Sequence, residues 1–198
     1  MSKAVLFSIK PKYCELIASG KKTIEVRKTK PKLDTPFKCY IYCTKGELLT
    51  RSNNNSKIYV ASSPKYQKAL ERNGNITLSG KVIGEFVCDE IIEILPDNEI
   101  YGTYDISDDE VIASCLVNGD LWNYGKGKTL YGFHISDLVI YDKPKELSDF
   151  RKPCIYGEES DVSCFSCDKS GYRPDMHIDC FNEVTRPPQS WCYVEELI

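Results

Sequence analysis

Apolar and polar positions at the start of the chain outline a strand followed by a short helix. Residues 3–9 are rich in residues that favour strands, and Pro11 suits the first position of a helix that runs to about Ser19. Gly20 then provides a stop signal for that helix. We therefore expect a strand and a helix that leads through a tight turn into the next element.

The stretch after this helix alternates with the period of a strand. Ile24 and Val26 point to one face, which we expect to enter a core, while Glu25 and Arg27 point to the other face. An acid beside a base is compatible with an ordinary surface ion pair, which contributes about 0–1 kcal/mol. The alternative is the wall of a polar ligand cleft. We expect Lys22 to belong to the turn that precedes the strand.

Further apolar runs, separated by turns, predict several more strands and few helices. The predicted strands cover residues 37–43, 80–94, 129–135, 138–141 and 190–195. Short helices are expected from Pro64 to about Arg72, and from a capping box at Ser107 to about Val117, whereas residues 121–127 read as an aromatic loop. This pattern favours a mainly β (α+β) fold, a small β-barrel decorated by short helices.

Composition and length are those of one soluble globular domain. The chain has 198 residues, of which 41% are hydrophobic and 28% charged. No apolar run is long enough to span a bilayer, and the first residues lack the pattern of a signal peptide. We therefore expect a cytoplasmic protein without a membrane contact.

The charge is distributed unevenly along the chain. The net charge is −3, yet residues 1–38 carry +7 and the remainder carries −10. Between Lys81 and Lys126 there is no Lys or Arg, while eleven acids fall there. A basic lobe would attract phosphate, and the acidic stretch would repel it.

Ten cysteines are many for a cytoplasmic protein, in which structural disulfides are rare. Five of them lie in apolar stretches and are expected to be small core residues: Cys14, Cys39, Cys43, Cys88 and Cys115. Near the C-terminus, Cys164 and Cys167 form a chelating pair, with Cys180 beyond it. Either Cys154 or His177 would complete a tetrahedral site for Zn²⁺.

We favour the all-thiolate set, because His177 also fits a surface role. A site closed by four thiolates is structural, and it would hold together a small zinc-binding lobe at about residues 151–188, which has few large apolar residues. Reduced thiols without a metal are the alternative.

The N-terminal residues also resemble a known family. The stretch consists of Ser8-Ile9-Lys10-Pro11-Lys12-Tyr13, then Ile17, then Gly20-Lys21-Lys22-Thr23-Ile24-Glu25-Val26-Arg27. It resembles the signature of ASCH domains. These domains are relatives of the PUA domain and have a β-barrel fold. Residues 186–194, which lead into and include most of the final strand, resemble the closing strand of phage and prophage members from Gram-positive bacteria. The likeness implies a single PUA-like domain over residues 1–198, with insertions at about 44–79 and 95–128. A phage or prophage origin in a bacterial host follows as an expectation.

The resemblance implies a cleft that binds RNA or a nucleobase, including a modified one. The candidate ligand-binding residues are Lys10, Lys22, Glu25, Arg27, Gln189 and Ser190. In this hypothesis Lys22 and Arg27 meet a phosphate or a base carbonyl, while Glu25 accepts a hydrogen bond from an exocyclic amine. Gln189 and Ser190 add donors and acceptors.

Two alternatives follow from the same residues. Some small bacterial members of the family remove the acyl group from N4-acetylcytidine with a lysine, a threonine and a glutamate, and Lys22 occupies the lysine position. Glu25 stands at the threonine position, which favours binding over an amidohydrolase or nuclease activity. The other alternative is a factor that binds a host protein through the acidic stretch or the cysteine-rich lobe.

Overall fold

The computed structural model describes residues 2–61, 65, 67–153 and 183–197. In this part of the chain, twelve strands form three sheets, accompanied by four α-helices. The strands are β1 (Lys3–Ile9), β2 (Ile24–Arg27), β3 (Phe37–Cys43), β4 (Leu48–Arg51), β5 (Ile58–Ala61), β6 (Ile76–Thr77), β7 (Val82–Cys88), β8 (Ile91–Asn98), β9 (Thr103–Asp105), β10 (Leu130–His134), β11 (Ser136–Lys145) and β12 (Trp191–Glu195). The helices are α1 (Pro11–Ala18), α2 (Gln67–Arg72), α3 (Asp108–Ser114) and α4 (Asn118–Gly125). The prediction of a mainly β fold with short helices is confirmed.

The five-stranded sheet separates the main core from a second core. Its order is β11-β7-β3-β1-β12, with β1 parallel to β3 and antiparallel to β12. Alternate residues of β1 divide between the two faces, because Val5, Phe7 and Ile9 enter the main core and Ala4 and Leu6 enter the second. Six of the seven residues of β1 are consequently buried.

The four-stranded sheet, of order β2-β10-β8-β9, places β2 at its edge. Ile24 and Val26 pack into a third core, to which α3 and α4 contribute side chains. Glu25 and Arg27 lie on the opposite face, where Glu25 is paired in register with Phe133 of the main core. The strand is therefore buried on both faces. This excludes the interpretation of Glu25 and Arg27 as an ordinary ion pair on a half-exposed strand.

The single strand predicted over residues 80–94 is wrong, because two strands of different sheets occupy this stretch. The chain turns at Asp89 and Glu90, and both residues are bonded to His134. The Nδ1 atom of His134 lies 2.7 Å from Asp89 Oδ1, and its backbone N–H donates to the Glu90 carbonyl at 3.0 Å. A partner distant in sequence thus fixes the break between β7 and β8.

The aromatic loop predicted over residues 121–127 is also corrected, since most of it belongs to α4. The preceding helix α3 has the predicted capping box at Ser107, but it ends at Cys115 in the left-handed conformation and not near Val117. The stretch 44–79 contains a three-stranded sheet as well as the predicted helix. Of the five cysteines expected in the core, four are buried and Cys115 is half-buried.

The predicted zinc ligands Cys154, Cys164, Cys167, Cys180 and His177 lie outside the described residues, so the zinc lobe stays a prediction. The described segments on either side of this stretch lie next to each other. Arg151 and Glu183 form an antiparallel bridge, and the Val184 N–H donates to the Phe150 carbonyl at 2.8 Å. None of the helices in the described ranges is long and apolar enough to cross a bilayer.

Candidate functional site

Three residues named by the sequence motif are brought together where α1 leads into β2. Gly20 follows the helix with a φ of 71°, in the left-handed region that glycine adopts readily, and this reverses the chain. Lys22 lies in the turn, as predicted, because β2 begins only at Ile24. The strand then presents Glu25 and Arg27 on the face toward the main core.

Lys22, Glu25 and Arg27 form what we call the charged cluster, and they are only 2%, 5% and 8% exposed. The Oε1 atom of Glu25 lies 2.9 Å from Nη2 of Arg27, and its Oε2 atom lies 3.5 Å from Nζ of Lys22. Two cations thus face one anion, and the cluster carries a net positive charge. Removing such charges from water costs several kcal/mol per ion in general, and only close pairing offsets that cost.

Lys22 connects three parts of the chain. Its Nζ donates hydrogen bonds to the carbonyl oxygens of Ile24, at 2.8 Å, and Ser114, at 2.6 Å. The same ammonium lies 5.3 Å from the centre of the Tyr13 ring on α1. Lys22 therefore ties the end of α3 to the start of β2 and holds Glu25 in place.

Arg27 connects the cluster to β1. Its Nη2 donates to the Ser8 carbonyl at 2.8 Å, and its guanidinium lies 5.4 Å from the centre of the Phe7 ring. Three polar atoms here are buried without a hydrogen-bond partner among the described residues: Ser8 Oγ, Glu25 Oε2 and Arg27 Nε. Because nearly all buried polar atoms in folded proteins have hydrogen-bond partners, ordered water or a ligand can supply the missing ones here.

Ser8 is the residue of this site that sequence reasoning missed. It belongs to the quoted motif, but a serine inside a strand of β-formers gives no signal of its own. The Ser8 N–H donates to the Ser190 carbonyl at 2.9 Å, so the predicted residue Ser190 lies beside the cluster. The other two predicted residues, Lys10 and Gln189, are exposed on the segments that flank Ser8 and Ser190.

Neighbouring groups of this site are held in their neutral forms. Burial raises the pKa of the Tyr13 hydroxyl, and the charges of Asp120 and Glu25 raise it further. Burial likewise raises the pKa of the Cys14 thiol well above its usual value, with a further contribution from the Cys43 thiol. A thiol with a raised pKa stays protonated at neutral pH, and Cys14 is therefore a packing residue and not a nucleophile.

A basic loop over residues 28–36 lies next to the cluster and is fastened to β12. Trp191 Nε1 donates to the Thr29 carbonyl at 3.1 Å, and the Lys32 N–H donates to the Tyr193 hydroxyl at 2.6 Å. A groove of about 500 Å³ runs along this loop. It is lined by Lys30, Pro31, Lys32, Leu33, Asp34, Thr35 and Ile91. The described residues contain no group of three His, Cys, Asp or Glu side chains that could hold a metal ion.

This arrangement of sheets and short helices is similar to that of solved ASCH structures. The crystal structure of ASCH from Zymomonas mobilis is similar to this chain, with a TM-score of 0.52 and 16% identity, covering 98% of this chain and 88% of that one. A variant of the same Zymomonas mobilis protein gives a TM-score of 0.52 at 15% identity, covering 98% and 92%. No protein-family model and no curated protein matches this sequence. The structural likeness thus confirms a fold shared with solved ASCH structures, as the N-terminal motif implied.

Proposed function

We propose that this chain binds RNA and holds one base, ordinary or modified, at the charged cluster. The observation that carries the proposal is the set of three buried atoms without a hydrogen bond in the described structure: Arg27 Nε, Ser8 Oγ and Glu25 Oε2, the last of which faces the Lys22 ammonium at 3.5 Å. They offer an acceptor, a donor and a hydroxyl that can serve as either. A base edge with an exocyclic amine beside a ring acceptor, as in cytosine or adenine, complements this set.

The exposed charges of the N-terminal stretch, which also carries the cluster, support a polyanionic ligand. Several lysines of the N-terminal stretch are exposed: Lys10, Lys12, Lys21, Lys28 and Lys32. Exposed lysines attract the phosphates of a nucleic acid and make its binding depend on salt. A base can reach a buried cluster only when it leaves its stack, and this favours single-stranded RNA.

The geometry of Lys22 favours binding over acyl hydrolysis. Its ammonium is directed at two carbonyl oxygens and at Glu25, and it is therefore engaged in holding the turn. A general acid or base must instead present its proton or lone pair to the substrate. We assign Lys22 a positioning role, and we expect Ser8, Glu25 and Arg27 to contact the base.

The segment around Ser190 is where we expect a base to enter. Ser190 adjoins Ser8 through a backbone hydrogen bond, and it is partly exposed. Gln189 and Lys10 would then lie at the rim, where Gln189 can bond the base or ribose and Lys10 can meet a phosphate. This arrangement uses all six candidate residues of the motif and the final strand.

A titration of fluorescein-labelled single-stranded RNA of about 12 nucleotides, followed by anisotropy, tests the proposal. Ser8→Ala removes a hydroxyl that has no hydrogen bond in the described structure. Arg27→Lys keeps the charge but removes Nε, together with the Nη2 atom that bonds Glu25 and the Ser8 carbonyl. We expect each variant to weaken binding about 5- to 10-fold, the value of one hydrogen bond of about 1 kcal/mol or slightly more. Ser136→Ala is the matched control, because Ser136 Oγ is bonded to the Val87 carbonyl on β7.

Equal affinity of the wild type and both variants for RNA would overturn the proposal. A parallel incubation with N4-acetylcytidine separates the enzyme alternative, since release of acetate by the wild type but not by a Lys22→Met variant would show an amidohydrolase. Single-stranded DNA of the same sequence is included, because a weaker complex with DNA identifies RNA as the preferred ligand.

A further inference from the structure

The acidic lobe, which we define as residues 95–120, has a surface of one charge sign. It consists of the end of β8, the strand β9, the helix α3 and the start of α4. Six acids of this lobe are exposed: Asp97, Glu99, Asp105, Asp108, Asp109 and Asp120. None of the six forms an ion pair with another residue that the structure describes, and no Lys or Arg lies between Lys81 and Lys126.

The same lobe exposes most of the large apolar side chains found on the described surface. Ile100 and Tyr101, at the tip of the β8–β9 hairpin, are 90% and 80% exposed. Leu95, Ile112 and Val117 are also exposed, so that five of the seven such residues in the described ranges fall within the lobe. Exposed apolar groups gathered in one region mark an interaction surface.

The hairpin tip is braced by hydrogen bonds and by packing. Asn98 Oδ1 accepts hydrogen bonds from the backbone N–H groups of Ile100, at 3.0 Å, and Tyr101, at 3.2 Å. Gly102 packs on Trp122 of α4, since a Cβ at this glycine would lie 3.1 Å from the ring. A fixed tip loses little conformational entropy when a partner covers it, which favours binding.

Folding explains only part of the acidic surface. Asp108 and Asp109 lie in the first turn of α3, where negative charge stabilises the helix. This reason does not extend to Glu99, Asp105 or the apolar tip. The lobe therefore has surface features that its own fold does not require.

We propose that the acidic lobe docks a protein segment that carries both basic and large apolar side chains. Nucleic acids and anionic lipids share the charge of the lobe and are repelled by it. A second copy of this chain is a poor occupant, because residues 2–38, its basic part, expose no large apolar side chain to cover Ile100 and Tyr101. The occupant is consequently a segment of a different protein that carries both basic and large apolar side chains.

The probe for this docking surface is a labelled synthetic peptide of about 18 residues, or about five helical turns, with Lys and Leu at helical spacing. A second peptide with every Leu replaced by Ser keeps the charge and removes the apolar groups. Anisotropy titrations use the wild type, the tip variant Ile100→Ser with Tyr101→Ser, and the charge variant Glu99→Gln with Asp105→Asn. The matched control is Ile76→Ser with Val139→Ser, two exposed apolar residues outside the lobe.

We expect the Lys–Leu peptide to bind the wild type and the control alike, and to bind the tip variant about tenfold more weakly or worse. The charge variant should bind more weakly, and its remaining affinity should depend less on salt. Equal affinity of the Lys–Leu and Lys–Ser peptides, no effect of the tip variant, or no binding to the wild type would each overturn the proposal. The tip variant should bind RNA with the same affinity as the wild type. A failure of the docking proposal can therefore be told apart from a failure of the proposed RNA binding.

Discussion

Glu25→Gln removes the carboxylate of the charged cluster and leaves Lys22 and Arg27 buried without an anion. In the folded protein Glu25 bonds Arg27 at 2.9 Å and faces Lys22 at 3.5 Å, so an amide nitrogen on either side would oppose a donor. Breaking a buried ion pair by removing one partner costs about 3–5 kcal/mol in general. We expect a loss of free energy of unfolding in this range.

Glu93→Gln is the matched control for that variant. Glu93 lies on β8, two strands from β2 in the same sheet, and pairs with Lys30 at 2.6 Å, but both side chains are about half-exposed. An exposed pair contributes about 0–1 kcal/mol. The two substitutions make the same chemical change in the same sheet and differ in burial.

Urea unfolding at pH 7, followed by circular dichroism and tryptophan fluorescence, measures the difference. With a slope of about 2 kcal/mol per molar urea, a loss of about 3 kcal/mol lowers the midpoint by about 1.5 M, and the control should shift it by less than about 0.5 M. Coincident transitions in the two signals are required for this comparison. Equal shifts of the midpoint for Glu25→Gln and Glu93→Gln would refute the reasoning. They would show that removing the anion beside the buried Lys22 and Arg27 costs no more than removing an exposed one.

Three other predictions concern residues of β7 and the N-terminal cap of α3, and they use the same unfolding assay. Gly84→Ala should destabilise by about 1–3 kcal/mol, because a Cβ there would lie 2.4 Å from the Val139 carbonyl oxygen; an unchanged midpoint would contradict this close approach. Ser107→Ala should cost about 1 kcal/mol through loss of the helix cap, and a cost below the error of the assay would show that the capping box is dispensable. Burial acts to raise the pKa of Glu85, but hydrogen bonds from Tyr141 and Lys38 outweigh it and lower the pKa below its ordinary value of 4.5. The ionised Glu85 therefore stabilises the fold above pH 4.5, and this stabilisation is lost as the pH falls through the pKa of the folded state. Glu85→Gln should therefore be less stable than the wild type at pH 7. The gap should narrow below about pH 4.5 and close as the pH falls through the folded pKa, whereas a gap that is constant with pH would be evidence against this assignment.

Local sequence signals predicted the elements that surround the site. Pro11 and Gly20 mark the ends of α1 because each acts on its own backbone, and the strand over Phe37–Cys43 follows from strong β-formers. The alternation in β2 also assigned Glu25 and Arg27 correctly to one face. Signals of this kind need no knowledge of distant partners.

The burial of the site depends on contacts that a local pattern does not contain. The sequence indicates an exposed face for Glu25 and Arg27, but β1 and β10 meet there, with Phe7 under Arg27 and Phe133 opposite Glu25. The missed helix α4 is a similar case. Its residues include two glycines and two asparagines, which are poor helix formers, and the burial of Leu121 in the third core offsets their weak propensity.

The measurement that tests the central claim most directly is a titration of ¹⁵N-labelled protein with single-stranded RNA, observed at the Nε–Hε resonance of Arg27. The resonance is assigned by its loss in Arg27→Lys. Because Arg27 Nε has no partner in the described structure, we predict a downfield shift of Hε as it bonds the base, saturating at the concentration that saturates the anisotropy. RNA binding that leaves this resonance unmoved, while backbone resonances of the basic loop shift, would contradict the claim that the charged cluster holds a base.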